Sequence, residues 1–114
     1  MEDCLFCKIA GGEIPVAVVY EEESILAFRD INPQAARHVL IIPRQHISGL
    51  NSLGQVSDAL LASLLRAAKA VAQAEGIEHS GYRLICNCGK DAKQSVSHLH
   101  LHVLGGQELS EKIV

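Results

Sequence analysis

Hydrophobic and polar positions alternate strictly from His98 to Val103, within the run Ser-His-Leu-His-Leu-His-Val-Leu. Period two is the pattern of a β-strand, whose successive side chains point to opposite faces. Leu99, Leu101 and Val103 then face a core, while His98, His100 and His102 form a row spaced ~6.6 Å apart, because each strand residue rises ~3.3 Å. Other short β-rich runs cover Val16 to Tyr20 and Ile25 to Phe28, separated by the acidic Glu21-Glu22-Glu23-Ser24 as in a hairpin. A third runs from His38 to Pro43, apolar enough for burial on both faces, and a fourth from Tyr82 to Asn87. From Val56 to Glu75 the period becomes helical: Val56, Leu60, Leu61, Leu64, Leu65, Ala68, Val71 and Ala72 form one stripe, closed by Gly76. Cys4 to Ala10 reads as a short helix or turn ended by Gly11-Gly12 and Pro15. Asp30 to Gln34 is a turn through its Asn-Pro step, Cys88 to Ser95 is a polar loop, and Gln107 to Val114 has no clear pattern. This order predicts an α+β fold, a largely antiparallel sheet with one layer of helix, in a single domain over residues 1–114.

Composition narrows the function classes. The chain has 114 residues, 48% hydrophobic and 20% charged, with a net charge of -3 and no run of basic residues. No stripe of positive charge offers itself to a nucleic-acid backbone. The acidic Met1-Glu2-Asp3 start lacks a signal-peptide pattern, and no apolar run reaches the ~20 residues of a membrane span, so a cytoplasmic location without membrane partners is expected. In that compartment the 4 cysteines favour metal ligation or free thiols over disulfides.

A row of imidazoles permits two chemistries. A neutral imidazole can act as a nucleophile while its neighbours orient it and donate to developing charge, or alternate histidines can hold a zinc ion that activates water. The second is disfavoured because no general-base carboxylate accompanies the row. Gly89, Gln94 and Ser95, just before the strand, supply the amide and hydroxyl donors that a phosphate needs. An imidazole attacking phosphorus forms an N–P bond that water readily cleaves, which suits two-step phosphoryl or nucleotidyl transfer.

The run from Gln94 to Gly106 resembles the histidine-triad signature of the HIT superfamily of nucleotide hydrolases and transferases. Ile14-Pro15, Ala27 to Ala35, His38 with Ile42-Pro43, His46-Ile47-Ser48, and Gly81 through Asn87 resemble its Hint branch in the same order. The resemblance implies a five-stranded antiparallel sheet with one long and one short helix, and a homodimer whose sheets join into a continuous ten-stranded layer. It implies a purine nucleotide site in which His100 is the nucleophile on the α-phosphorus, His102 hydrogen-bonds the phosphate and leaving side, and His38 orients or polarises the nucleophile. His98, the first histidine of the triad, counts with them among the catalytic residues. Asn87, Gln94 and Ser95 match positions around the phosphate, Asp30 the acceptor of the ribose hydroxyls, and Ile31 and Phe6 the apolar positions that enclose the base. Resemblance to bacterial members further implies structural zinc held by Cys4, Cys7, His46 and His98, with no metal required for catalysis. Two packed thiols are the plainer reading, and Cys86 and Cys88, sharing a strand face, are rival ligands.

The expected activity is therefore a nucleotide phosphoramidase acting through a nucleotidyl-histidine. Alternatives are a dinucleoside polyphosphate hydrolase and a nucleotide-binding regulator or scaffold. The chain departs from the Hint pattern at Ala92-Lys93, where many relatives carry Gly-Gly, and in lacking an aromatic, proline-rich tail. Ala92-Lys93 resists a positive φ, and Lys93 brings charge near the leaving group. His79 has no motif role and is expected at the surface.

Overall fold

A computed structural model describes residues 3–113. Helix α1 (Leu5–Ala10) is followed by β1 (Val18–Glu21), β2 (Ile25–Arg29) and β3 (Arg37–Pro43), a 3-10 turn at Leu50–Ser52, helix α2 (Asp58–Ala74), then β4 (Tyr82–Ile85) and β5 (Leu101–Gly105). The five strands form one sheet in the order β1-β2-β3-β5-β4, antiparallel throughout. The expected α+β class and its two helices are present; β1, β4 and β5 are shorter than the patterns suggested, and β2 and β3 each one residue longer.

Helix α2 begins where the Ser57 hydroxyl accepts the Leu60 N–H at 3.1 Å and ends at Glu75. Gly76 then turns the chain at φ +72, and the Ile77 N–H returns to the Ala72 carbonyl. The helix buries Leu60, Leu64, Ala67, Ala68, Val71 and Ala72 against Ile25, Ala27, Val39, Ile41, Leu101 and Val103. Leu65, expected on this stripe, is instead 63% exposed. Helix α2 packs across β1, β2, β3 and β5, so a leucine at the flank of its stripe has no sheet beneath it.

The second face of the sheet is also covered, where one helical layer was expected. Phe6 and Ile9 of α1 close over Leu26, Phe28, Leu40 and Ile42. Strand β3 is consequently buried on both sides from His38 to Pro43, as its apolar run predicted.

The largest departure lies in the histidine strand. Its ladder begins only at Leu101, paired with Ile41, so His98, Leu99 and His100 lie before it. The cause is Pro43. Continuing the register sets Pro43 opposite Leu99, and a proline has no N–H to donate to a ladder. Leu99 donates instead to the Ile47 carbonyl at 2.6 Å. At the other end of β5, a Cβ at Gly105 would come within 2.8 Å of Ile77 Cδ1 and 3.0 Å of the Gly81 carbonyl.

Candidate functional site

The alternation read from sequence survives although the strand is shorter. Leu99, Leu101 and Val103 point into the core beneath α2. The histidines take the opposite face, where Phe6 stands edge-on to His98 and His100 at 5.9 and 5.0 Å, and His100 meets His102 at 5.1 Å. This row is not an open face. His98 is 0% and His100 3% exposed, and only His102 is half-buried.

Hydrogen bonds fix the proton on each ring. His100 Nδ1 lies 2.8 Å from the His98 carbonyl, an acceptor only, so Nδ1 carries the hydrogen and Nε2 is left with a bare lone pair. His38 Nδ1 accepts the Gln34 N–H at 3.0 Å, which places the His38 hydrogen on Nε2. That nitrogen lies 2.9 Å from His102 Nδ1, so His38 donates and His102 keeps its hydrogen on Nε2. His38 therefore acts on His102, whereas the sequence reading set it against the nucleophile His100. Burial holds His38 below its usual value, with Asp30 opposing. Burial first, then His100 and His38, lowers His102 to about 4. Both rings are neutral at pH 7.

Asp30 sits on the turn after β2, its Oδ1 taking the Asn32 N–H at 2.9 Å and its Oδ2 3.5 Å from His38 Nε2. Ile31, expected to enclose a base, is 96% exposed, whereas Phe6 is 4% exposed beneath the histidines. Gln94 spends both amide atoms on the backbone: Oε1 accepts the Gly89 N–H at 3.0 Å, and Nε2 donates to Ser48 and Val96 carbonyls at 2.8 and 3.0 Å. It braces the loop before the histidines. Ser95 is exposed and Asn87 half-buried. Lys93 holds φ +62, the conformation its sequence position was expected to resist.

A second constellation lies behind the row. Cys4 Sγ, Cys7 Sγ and ring nitrogens of His46 and His98 lie within 4.8 Å of one another. His98 Nε2 donates to the Pro43 carbonyl at 2.8 Å, turning the Nδ1 lone pair toward Cys4 and Cys7 at 3.3 and 3.5 Å. His46 Nδ1 is 3.2 Å from Cys7 Sγ. A tetrahedral ion with ~2.3 Å bonds to sulfur and ~2.0 Å bonds to nitrogen sets sulfur and nitrogen about 3.6 Å apart, so the donor set fits one. The Cys7 N–H also reaches Cys4 Sγ at 3.4 Å. Burial, then Cys4 beside it, pushes the Cys7 thiol up. Cys86 and Cys88 stand apart from this group, and since β4 ends at Ile85 neither shares a strand face. An open cleft of about 780 Å³ adjoins the cluster, lined by Cys4, His46, Ser48, Ser95 and Ser97 among others. His79 is exposed at the surface, as expected.

Sequence reasoning missed Pro43 and Ile47, whose carbonyls hold the segment from His98 to His100. The Ile-Pro end of β3 was the available signal: a strand stopped by proline leaves its neighbour unpaired.

A family model described as HIT domain matches residues 11–109. The chain is 42% identical over 108 residues to the purine nucleoside phosphoramidase of Escherichia coli K12, covering 95% of this chain and 91% of that protein. It is 49% identical over 109 residues to the 14 kDa zinc-binding protein of Zea mays, covering 93% and 84%. A HIT family hydrolase from Legionella pneumophila superposes with a TM-score of 0.91 at 52% identity, covering 96% of this chain and 97% of that one. Another from Clostridium thermocellum gives 0.95 at 46% identity, covering 100% and 99%.

Proposed function

The chain belongs to the HIT domain family, and from that premise we propose that it is a dimeric, purine-preferring nucleotide hydrolase of the phosphoramidase type. The observation that carries this reading is the hydrogen bonding of His100: its Nδ1 hydrogen is committed to the His98 carbonyl, which leaves Nε2 as the ring nitrogen free to act as nucleophile. The name of the Escherichia coli relative points the same way.

His100 Nε2 attacks the α-phosphorus of a nucleoside monophosphate conjugate. The bond to the leaving amine breaks with its electron pair on nitrogen, which takes a proton from solvent. His102 donates its Nε2 hydrogen to a phosphoryl oxygen, its ring held in that tautomer by His38. Water then attacks the nucleotidyl-histidine, the pair returns to His100 Nε2, and the nucleoside monophosphate leaves. Asp30 accepts the ribose hydroxyls, Ser95 and Asn87 meet the phosphate, and Gln94 acts by holding their loop. Ile31 and Phe6 bound the base, with Phe6 forming the floor. His98 is a positioning residue, since its ring faces the cysteines and only its carbonyl meets His100.

The Cys4, Cys7, His46 and His98 set holds structural zinc in this reading, supported by its donors and by the name of the maize relative. When bound, the ion supplies a cross-link between α1 and the histidine segment, and no catalytic step passes through it. Dimerisation is supported by the edge strand β4, where Tyr82 and Leu84 are 39% and 37% exposed. A cytoplasmic location is consistent with the absence, among the described residues, of a helix long and apolar enough to cross a membrane.

The test is turnover of an adenosine phosphoramidate by wild type, by His100→Ala and by protein treated with a strong chelator. Wild type should turn over, His100→Ala should not, and the chelated protein should retain chemistry while folded. An alanine variant as active as wild type removes His100 from the role. Complete loss on chelation in a still-folded protein transfers the chemistry to a metal.

A further inference from the structure

The segment that carries the nucleophile is held without a ladder. His98, Leu99 and His100 precede the first β3–β5 pair, and their anchors are the Leu99 N–H to Ile47 carbonyl bond, the His98 Nε2 to Pro43 carbonyl bond, and the packing of the His98 ring against Cys4, Cys7 and His46. The His98 residue joins both systems: its Nδ1 faces the two sulfurs and its carbonyl takes the Nδ1 hydrogen of His100 at 2.8 Å. Whatever changes the sulfurs therefore reaches the nucleophile through His98, and through Phe6, which lies between the two cysteines and stands edge-on to His100 at 5.0 Å.

The two sulfurs are also placed to react with each other. Cys4 and Cys7 are three residues apart at the start of α1, a spacing that brings Cβ atoms to ~5–6 Å in a helix. Their sulfurs already lie within 4.8 Å of one another, and since Cys4 is the extended N-cap of α1, a small backbone shift there brings the Cβ atoms to ~4 Å while side-chain rotation brings the sulfurs to bonding distance. Both thiols are half-buried rather than sealed, and Cys4 lines the open 780 Å³ cleft beside Ser95 and Ser97, so a small oxidant has a route to it.

We propose that Cys4 and Cys7 form a reversible oxidation site, and that closing it as a disulfide releases the bound metal and loosens the His98–His100 segment. The oxidant is a hydroperoxide. The Cys4 thiolate attacks the peroxide oxygen, the O–O bond breaks, and a sulfenic acid and water (or an alcohol) result. Cys7 thiolate then displaces hydroxide from that sulfur, which leaves as a second water after taking a proton. Two electrons pass from the sulfurs to the peroxide, and two of the four metal donors are lost with them. A dithiol reductant reverses the bond by exchange.

This inference rests on the zinc and nucleophile readings above, so its test separates them. Zinc-loaded protein is treated with one equivalent of hydrogen peroxide, and three quantities are followed: metal released to a chromophoric chelator, the intact and peptide mass, and turnover of the phosphoramidate. The expected result is a loss of 2 Da assigned to the Cys4–Cys7 peptide, stoichiometric metal release, and at least a ~10-fold fall in kcat, since a small misplacement of a reacting group costs up to ~100-fold. Dithiothreitol with added zinc should restore all three. The Cys86→Ser, Cys88→Ser double variant should behave as wild type, and Cys4→Ser should show no disulfide. A disulfide on Cys86 and Cys88, or a Cys4–Cys7 disulfide that leaves kcat untouched, overturns the proposal. A preparation that takes up no zinc yet forms the Cys4–Cys7 disulfide with loss of kcat overturns the zinc reading while sustaining the oxidation site.

Discussion

At the scale of single residues, the site is a matter of where hydrogens sit. His100, His102 and His38 each have one ring nitrogen committed to a fixed partner, and those three commitments leave a lone pair at His100 Nε2 and a hydrogen at His102 Nε2. Removing the His38 ring should free His102 to rotate and change tautomer, lowering kcat by about 100-fold, the scale of a lost acid–base contribution. His38→Gln, which keeps a donor, should recover part of that loss, and equal rates for the alanine and glutamine variants would separate His38 from the tautomer of His102. The acid side of the pH profile follows from the same environment. In the unfolded chain these two histidines take protons near 6.5, whereas in the folded one burial holds His38 lower and His102 at about 4. Below 6.5 the unfolded state therefore binds more protons, and stability declines as pH falls toward 4. His102 should remain neutral at pH 5.5, with no loss of kcat/KM assignable to it, and a fall in rate centred near 6.5 that disappears in His102→Gln would contradict that assignment. The tautomers themselves could not be read from the sequence: a histidine's role depends on carbonyls such as that of Pro43, which are brought near only by folding.

At the scale of elements, the chain shows which patterns carry through and where they stop. The helical period located α2 to within about two residues because its buried stripe, its Ser57 cap and Gly76 agree. The period-two run correctly divided histidines from leucines but overstated the strand, since alternation says nothing of the proline on the neighbouring strand. Leu65 fell outside the core for a similar reason: periodicity gives the angle of a stripe and not the width of the sheet beneath it. The cysteine pair of α1 was legible as a pair, and its meeting with His46 and His98 required the tertiary fold. Helix α1 has only 6 residues, too few to be stable alone, so its place depends on Phe6, Ile9 and the cluster. Cys7→Ser should lower stability by several kcal/mol, on the order of a lost structural metal site, and lower Tm accordingly. A calorimetric trace unchanged from wild type would show that α1 is held by packing alone.

At the scale of the whole molecule, the sheet has two edges, β1 and β4, and the apolar side chains of β4 remain partly uncovered. Pairing two copies through β4 would continue the sheet and cover Tyr82 and Leu84, while Leu65 on α2 stands 63% exposed. Sedimentation should therefore report a dimer for wild type and a monomer for Leu84→Glu, and a monomeric wild type would remove the dimer from the reading. The general architecture was legible because the two helices and five strands announced themselves locally, whereas the 3-10 turn at Leu50–Ser52 did not; the pairing of copies was carried by resemblance alone, since an edge has no signature in a single chain.

Gly105 shows the same division between chemistry and construction. It follows the triad so closely that it reads as part of the catalytic signature, yet a side chain there would meet Ile77 and the Gly81 carbonyl rather than a substrate. Its bare Cα supplies the clearance between β5 and the chain entering β4. Gly105→Ala should cost about 1–3 kcal/mol of stability, with the nucleotide affinity of whatever remains folded unchanged. Two neighbouring letters of one motif can thus answer to different demands, one to chemistry and the other to the room the chain leaves.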